Sequence, residues 1–206
     1  MLHITPAWFM ALDPPSTFKL PSADGLLGNA SAQAKKGKVT SRPHSLAQVF
    51  GLASSLTPPP NYAAGFITGN FFLAYAVLST RFIKTRLRLD HNVCPREDLD
   101  KYGEKMVTEG KMTAATLRMI KRWDAAHANA VENFPLFIGS VLLALHAGVP
   151  AGKINGLAAL YTLARCAYAL AYIKIETHAA SYGRSVLWWI GNVSCLSLIK
   201  MAGSRL

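Results

Sequence analysis

Two groups of polar side chains lie in or beside otherwise apolar stretches, and their types suit the binding of a charged ligand. Asn129 and Glu132 are three residues apart, so a helix places both on one face. Arg165, Tyr168 and Tyr172 have the i, i+3, i+7 spacing that lines one face of a second helix. Arginine binds carboxylates, and a carboxylate binds ammonium groups. A structural interpretation stays open, in which Glu132 and Arg165 neutralise each other and the tyrosines pack as aromatic rings.

The elements that must position these residues are long apolar segments. The chain has 206 residues, of which 51% are apolar and 16% charged, a balance typical of membrane proteins. Ala63 to Thr80 contains no charge and approaches the ~20 residues that a helix needs to cross a bilayer. Three further candidate spans follow, at Phe134 to Leu145 with a backward extension to His127, at Ile154 to Ile173, and at Ser185 to Met201. We predict an all-α fold, a four-transmembrane-helix bundle.

Two of these spans are irregular by hydropathy alone. The uninterrupted part of the second is too short to cross a bilayer, and the third has Arg165 near its middle. A charge in hydrocarbon costs roughly 3 kcal/mol, so such residues indicate a functional site. The short connection His146 to Lys153 makes the two spans antiparallel, so their polar faces can meet. We therefore expect a cytosol-facing polar site between the second and third spans.

Charge and composition along the chain predict its organisation. Residues 1–57 are rich in Ser, Ala, Gly, Pro and Lys and are predicted to be a disordered extension, with the membrane domain at 58–206. Eleven Lys or Arg residues between Arg81 and Arg122 predict a cytoplasmic loop and a lumenal amino terminus. We expect no cleaved signal, and a mitochondrial presequence is a less favoured alternative. The net charge of +11 lies in connections between spans, which does not favour nucleic acid as a partner.

Metal chemistry is not indicated by the cysteines and histidines. Cys94, Cys166 and Cys195 are widely spaced, and His127 has no second ligand at metal spacing. We interpret His127 as a capping or surface residue. Trp188 and Trp189, near a span end, are interpreted as part of an interfacial aromatic belt.

Two motifs resemble the MAPEG superfamily, membrane-associated proteins in eicosanoid and glutathione metabolism. HANAVENFPLF (His127 to Phe137) is similar to the family's AHxNxxEN-x-P signature, and ARCAYALAY (Ala164 to Tyr172) to its second motif. The resemblance extends over about residues 61–203 and includes Arg86 to Arg88, Pro95 to Asp98, and Arg184-Ser185. It implies four helices per protomer, a homotrimer in the endoplasmic reticulum membrane, and glutathione bound between neighbouring protomers.

The resemblance also implies roles for individual residues. Glutathione would be bound by Arg86, Asn129, Glu132, Arg165, Tyr168 and Tyr172. Arg184 and Ser185 would lie near its sulfur as the catalytic pair. A nearby cation or hydroxyl favours the thiolate, and thiolate attack on a lipophilic electrophile is the implied reaction.

Departures from the family pattern narrow the activity that the resemblance implies for this chain. A family member with prostaglandin synthase activity has arginines where this chain has Ala125 and Ala128, and histidine where it has Tyr168. We therefore expect a glutathione transferase, with peroxidase activity on lipid hydroperoxides as an extension, and not a prostaglandin synthase. The alternative is a non-catalytic membrane scaffold or partner protein that keeps the bundle. A small transporter is less favoured because no inverted repeat is visible.

Overall fold

The computed structural model describes residues 43–54 and 57–206, and the regular elements in these residues are all helical. Most of the predicted extension, residues 1–42, lies outside the described residues. The helices are α1 Leu46–Val49, α2 Ala63–Phe72, α3 Arg81–Arg86, α4 Asp98–Thr108, α5 Ala114–His146, α6 Ala151–Lys174 and α7 His178–Gly203. A π-helical turn, Leu73–Val77, lies between α2 and α3.

Four of the helical segments are long and apolar enough to cross a membrane, which confirms the predicted all-α, four-span architecture. The α2–α3 unit (Ala63–Arg86) and α6 each contain 24 residues, α7 contains 26 and α5 contains 33. At 1.5 Å per residue, α5 is about 50 Å long and extends beyond the hydrocarbon core. The polar run from His127 to Asn133 therefore belongs to the same continuous helix as the apolar run that follows it.

The turn between α5 and α6 brings their polar faces together. Helix α5 ends in a Schellman motif, with Val149 N–H donating to the Ala144 carbonyl and Gly148 N–H to that of Leu145. Gly148 has φ +67°, the left-handed conformation that such an end requires. Pro150 then precedes α6, so the chain reverses within a few residues.

The centre of the bundle is apolar and joins α5, α6 and α7. Phe137 and Tyr161 stack with ring centroids 4.2 Å apart, and Val141, Ile154 and Leu198 are buried around them. A second apolar cluster lies at the α3–α4 end and includes Leu89, Leu99, Met112, Leu117 and Ile120. Packing of α4 against α5 in this cluster fixes the loop that follows α3.

Residues just before the first span are docked on α6, in a part of the chain whose composition predicted disorder. The Asn155 side chain is fully buried, donates to the carbonyls of Val49 and Pro60, and accepts from Tyr62 N–H. A Cβ at Gly156 would lie 2.5 Å from the Phe50 carbonyl oxygen, so only glycine permits this approach. Long-range contacts with α6, and not local composition, order this segment.

We expect Asn155→Ala to undock this segment. The change removes three hydrogen bonds and leaves the Val49 and Pro60 carbonyls unpaired, which should lower the free energy of unfolding by about 2 kcal/mol or more. Thermal unfolding in detergent and faster proteolysis before Ala63 would show this. Asn192→Ala is the matched control, since Asn192 is also buried but its amide nitrogen has no partner in the described residues. Equal effects of the two changes would contradict the assigned role.

Candidate functional site

A polar cleft of about 530 Å³ opens between α5, α6 and α7 and contains five of the eight predicted site residues. We call it the first cleft. The predicted residues that line it are Asn129, Tyr168, Tyr172, Arg184 and Ser185. They come from three helices, so the antiparallel α5–α6 pair and the start of α7 together build the site. His178, Ser181, Tyr182, Trp188 and Trp189 complete the lining.

Arg165 lies behind the wall of the first cleft and does not line it. Only 4% of its surface is exposed, and its Nη2 donates to the carbonyl oxygen of Asn129 at 3.0 Å and to Oδ1 of Asn129 at 2.7 Å. Its Cζ lies 4.8 Å from the Tyr168 ring centroid. Within the described residues Arg165 forms no ion pair, and its Nη1 has no hydrogen-bond partner. The structural interpretation in which Glu132 neutralises Arg165 is therefore not what the structure shows.

These contacts orient the Asn129 side chain. Its Oδ1 also lies 3.4 Å from the Nδ2 of Asn133, whose amide donates to the Asn129 carbonyl at 3.0 Å. Arg165 and Asn133 therefore occupy the oxygen side of the Asn129 amide from within the bundle. The NH₂ group of Asn129 is left available on the side of the first cleft, where it can donate a hydrogen bond to an acceptor atom of a ligand.

Arg184 is held at the cleft by an aromatic ring. Its Cζ lies 4.3 Å from the Tyr172 ring centroid, and Tyr172 in turn meets Tyr168 edge-on with centroids 5.5 Å apart. Ser185 follows directly on α7 and lines the same cleft. A cation and a hydroxyl thus stand side by side at this wall, a combination that can stabilise an anion such as a thiolate.

Glu132 instead lines a second cleft, on the side of α5 that faces α3. This cavity of about 680 Å³ lies between α5, α3 and the loop after α3. No lining residue is shared with the first cleft. Its charged and titratable side chains are Arg81, Lys84, Arg96, Asp124, His127 and Glu132. Asn129 and Glu132 therefore mark two separate polar surfaces of α5.

The second cleft contains an ion pair with a buried lysine, which the sequence analysis missed. Lys84 is 3% exposed and donates to both carboxylate oxygens of Asp124, at 3.1 and 3.2 Å, and to the Pro95 carbonyl. Thr80 also donates to Asp124. The only signal in the sequence was an acidic residue in α5 opposite a basic stretch, and that stretch was interpreted as a cytoplasmic loop.

Arg86 lines neither cleft. It is exposed at the end of α3, with no hydrogen bond or ion pair in the described residues. The structure of the single chain therefore does not bring Arg86 to the other predicted site residues.

An apolar groove adjoins the first cleft. Its volume is about 710 Å³, and it runs between α6 and α7 along Leu157, Leu160, Val186, Ile190 and Val193. Tyr182, Ser185 and Trp189 line both the groove and the first cleft. A lipophilic molecule in the groove and a polar molecule in the cleft would meet at these side chains.

Cysteine and metal chemistry have no evident place at either cleft. In the described part of the chain no group of three or more His, Cys, Asp or Glu side chains is arranged to hold a metal ion. Cys94 is exposed, but its hydrogen bond with Glu97 raises the pKa of the thiol. Because the neutral form is favoured, Cys94 is a weak nucleophile near neutral pH.

Comparison with known proteins gives one family match. The family model described as "MAPEG family" matches residues 60–204, which is more than half of the chain and includes both clefts and the groove. No curated protein and no solved structure matches the chain. The docked residues 45–53 precede the matched region.

Proposed function

The chain belongs to the MAPEG family, and from this premise we propose that it is a glutathione-dependent enzyme that conjugates or reduces lipophilic electrophiles. The family consists of membrane proteins of eicosanoid and glutathione metabolism, and the four spans make this chain an integral membrane protein. The proposed location is the endoplasmic reticulum membrane. Glutathione serves as co-substrate and supplies the nucleophilic sulfur.

The observation that carries this proposal is the junction of the first cleft with the apolar groove. Glutathione has two carboxylates, an ammonium group and a thiol, so it requires a polar cavity with cationic and amide donors. A lipophilic electrophile requires an apolar cavity that is open to the bilayer. Ser185 lines both cavities, so it lies where sulfur and electrophile would meet.

The residues of the first cleft then have distinct roles. The Asn129 amide donates to an acceptor of the tripeptide, and the Tyr168 and Tyr172 rings shape the wall against which it lies. Arg184 stabilises the thiolate by its charge, and Ser185 donates a hydrogen bond to the sulfur. The thiolate attacks the electrophilic carbon, a C–S bond forms, and the leaving group departs with its electron pair.

A homotrimer would complete the site. In one protomer Glu132 and Arg86 lie outside the first cleft, so an ammonium group bound there meets no carboxylate among its lining residues. A neighbouring copy can place its second cleft opposite the first cleft and so supply the carboxylate. Glutathione bound between copies is the arrangement that the family resemblance implies.

A second candidate function is a non-catalytic scaffold. It is favoured by the division of the eight predicted residues between two clefts and an exposed helix end. A scaffold would retain the bundle and its apolar faces without turnover.

We expect the full-length protein in detergent to bind glutathione at or below millimolar concentration, measured by isothermal titration calorimetry. It should also conjugate glutathione to an activated aryl halide. Arg205→Ala is the control, because Arg205 donates to the Gly148 carbonyl at the other end of the bundle. Binding without turnover would support the scaffold, and no binding at millimolar glutathione would exclude the proposed enzyme.

A further inference from the structure

The connection between α6 and α7 is fastened to α5 by one arginine. Arg122 on α5 donates from Nε to the Ile173 carbonyl at 3.1 Å and from Nη2 to Oε1 of Glu176 at 2.8 Å. Ile173 lies in the last turn of α6, where carbonyls lack a partner within the helix, and Glu176 lies in the connection 175–177. The Arg122 side chain is 18% exposed, so the contact is partly shielded from water. One planar guanidinium thus binds both the end of α6 and the residue two positions before α7. We call this contact the Arg122 anchor.

The half of α7 that follows the connection has few other attachments within the chain. The buried residues of α7 all lie from Gly191 onward, and residues 178–190 include none. Thr177 provides no side-chain cap for the helix start. Within the described residues, the side chains of 178–190 form no hydrogen bond or ion pair with α5 or α6, and Arg184 rests on the Tyr172 ring of α6. The position of this half of α7 therefore depends on the Arg122 anchor at its start.

This half of α7 also forms one wall of the first cleft. A cavity of about 320 Å³ lies beside the anchor and is lined by Arg122 and Glu176. It shares three α7 residues with the first cleft, namely His178, Ser181 and Arg184. A displacement at the anchor would therefore reach the wall that carries the proposed thiolate-stabilising cation.

We infer that Arg122 is a positioning residue, which holds the start of α7 so that Arg184 and Ser185 face the bound sulfur. It acts through Glu176 and the end of α6, and it does not line the first cleft itself. A misplacement of about 1 Å can cost roughly 10²-fold in rate, so an anchor outside the cleft can control the reaction. The effect on the sulfur rests on the proposed function, whereas the anchor itself lies within the single chain.

The first test is Arg122→Met in the full-length protein in detergent, without glutathione. Hydrogen–deuterium exchange, measured by mass spectrometry, should become about tenfold faster or more at 175–190, because both hydrogen bonds of the anchor are lost. Exchange at 191–203 should be unchanged, because the buried residues of α7 lie there. Glu176→Gln should accelerate exchange in the same region, and combining the two changes should add little to Arg122→Met alone.

The second test measures conjugation of glutathione to an activated aryl halide. Arg122→Met should lower kcat about 10- to 100-fold, while the KM for glutathione stays within about threefold. The bound thiol should titrate at higher pH, since Arg184 is no longer fixed beside the sulfur. Arg122→Lys should recover part of kcat, because it keeps the charge opposite Glu176. Lys121→Met is the matched control: Lys121 is the neighbouring residue on α5 and pairs with Glu104, so its loss should change none of these quantities.

Two results would overturn the inference. One is unchanged exchange at 175–190 in Arg122→Met, which excludes the anchor whether or not glutathione binds. The other is faster exchange there with kcat and the thiol titration both unchanged, because the anchor would then not position the wall of the cleft. If the wild type binds no glutathione, the proposed function fails, and the exchange measurement alone confirms or excludes the anchor.

Discussion

Replacing Arg165 by methionine is expected to weaken glutathione binding by at least about 30-fold without lowering thermal stability. Asn129 would lose the donor that holds its carbonyl and Oδ1, so its amide would no longer be fixed toward the first cleft. Loss of a buried charged hydrogen bond of this kind costs about 2 kcal/mol or more. Calorimetric titration with glutathione measures the affinity, and a thermal scan of the same sample measures stability.

Thermal stability should be preserved because the desolvation cost of the buried Arg165 charge is not offset by a carboxylate partner. Its guanidinium is 4% exposed, has no carboxylate partner in the described residues and leaves Nη1 unpaired. A buried charge without an ionic partner carries a desolvation cost, and an apolar side chain of similar length removes that cost while still filling the space. Arg165→Lys should give an intermediate affinity for glutathione, since it keeps the positive charge but not the planar guanidinium that donates several hydrogen bonds. A lower melting temperature with unchanged affinity would assign Arg165 a purely structural role.

The pairing of spans was accessible from sequence because it depends on local signals. Hydropathy located the apolar segments, and the short Gly148–Pro150 connection fixed α5 and α6 as an antiparallel pair. Helical spacing then placed Asn129 opposite Arg165, and the structure shows these two in contact. Periodicity is sufficient when both residues point toward the centre of the same pair of helices.

The sequence could not predict that Asn129 and Glu132 line different clefts. Three residues rotate a helix by about 300°, so the two side chains differ in direction by about 60°. On a flat surface this difference would leave both side chains in the same site. Here α5 lies between two clefts, so the two side chains line different ones. Only the positions of α3, α6 and α7 around α5 determine which cleft a residue enters.

The burial of Lys84 was not predictable from the sequence for a related reason. The π turn at Leu73–Val77 and the break at Thr80 change the direction in which each later side chain points. Lys84 is consequently buried against Asp124, whereas Arg86 is exposed. No charge count or motif distinguishes the two, because both are cations in one short helix. The docking of residues 45–53 on Gly152 and Asn155 is likewise determined by contacts that are distant in sequence.

Under the proposed function, Arg184→Ala is expected to reduce kcat by about 10²–10³-fold, because it removes the cation that we propose lies beside the reacting sulfur. A free thiol has a pKa of about 8.5, and a neighbouring guanidinium favours the thiolate. Without Arg184 the bound thiol should therefore titrate at higher pH, and the activity lost near neutrality should partly return as the pH rises. Ultraviolet absorbance of the thiolate, followed against pH in the glutathione complex, measures this directly.

The position of Arg184 can be tested separately from its charge. Its guanidinium rests on the Tyr172 ring, a contact of about 0.5–2 kcal/mol, so Tyr172→Phe should keep the thiolate titration and Tyr172→Leu should shift it upward. The two changes remove the hydroxyl and the ring respectively, which separates a hydrogen bond from the cation–π contact. If the thiolate titrates identically in wild type and Arg184→Ala, the cation does not act on the sulfur. The same titration in Ser185→Ala then determines whether the hydroxyl at the junction of cleft and groove stabilises the thiolate instead.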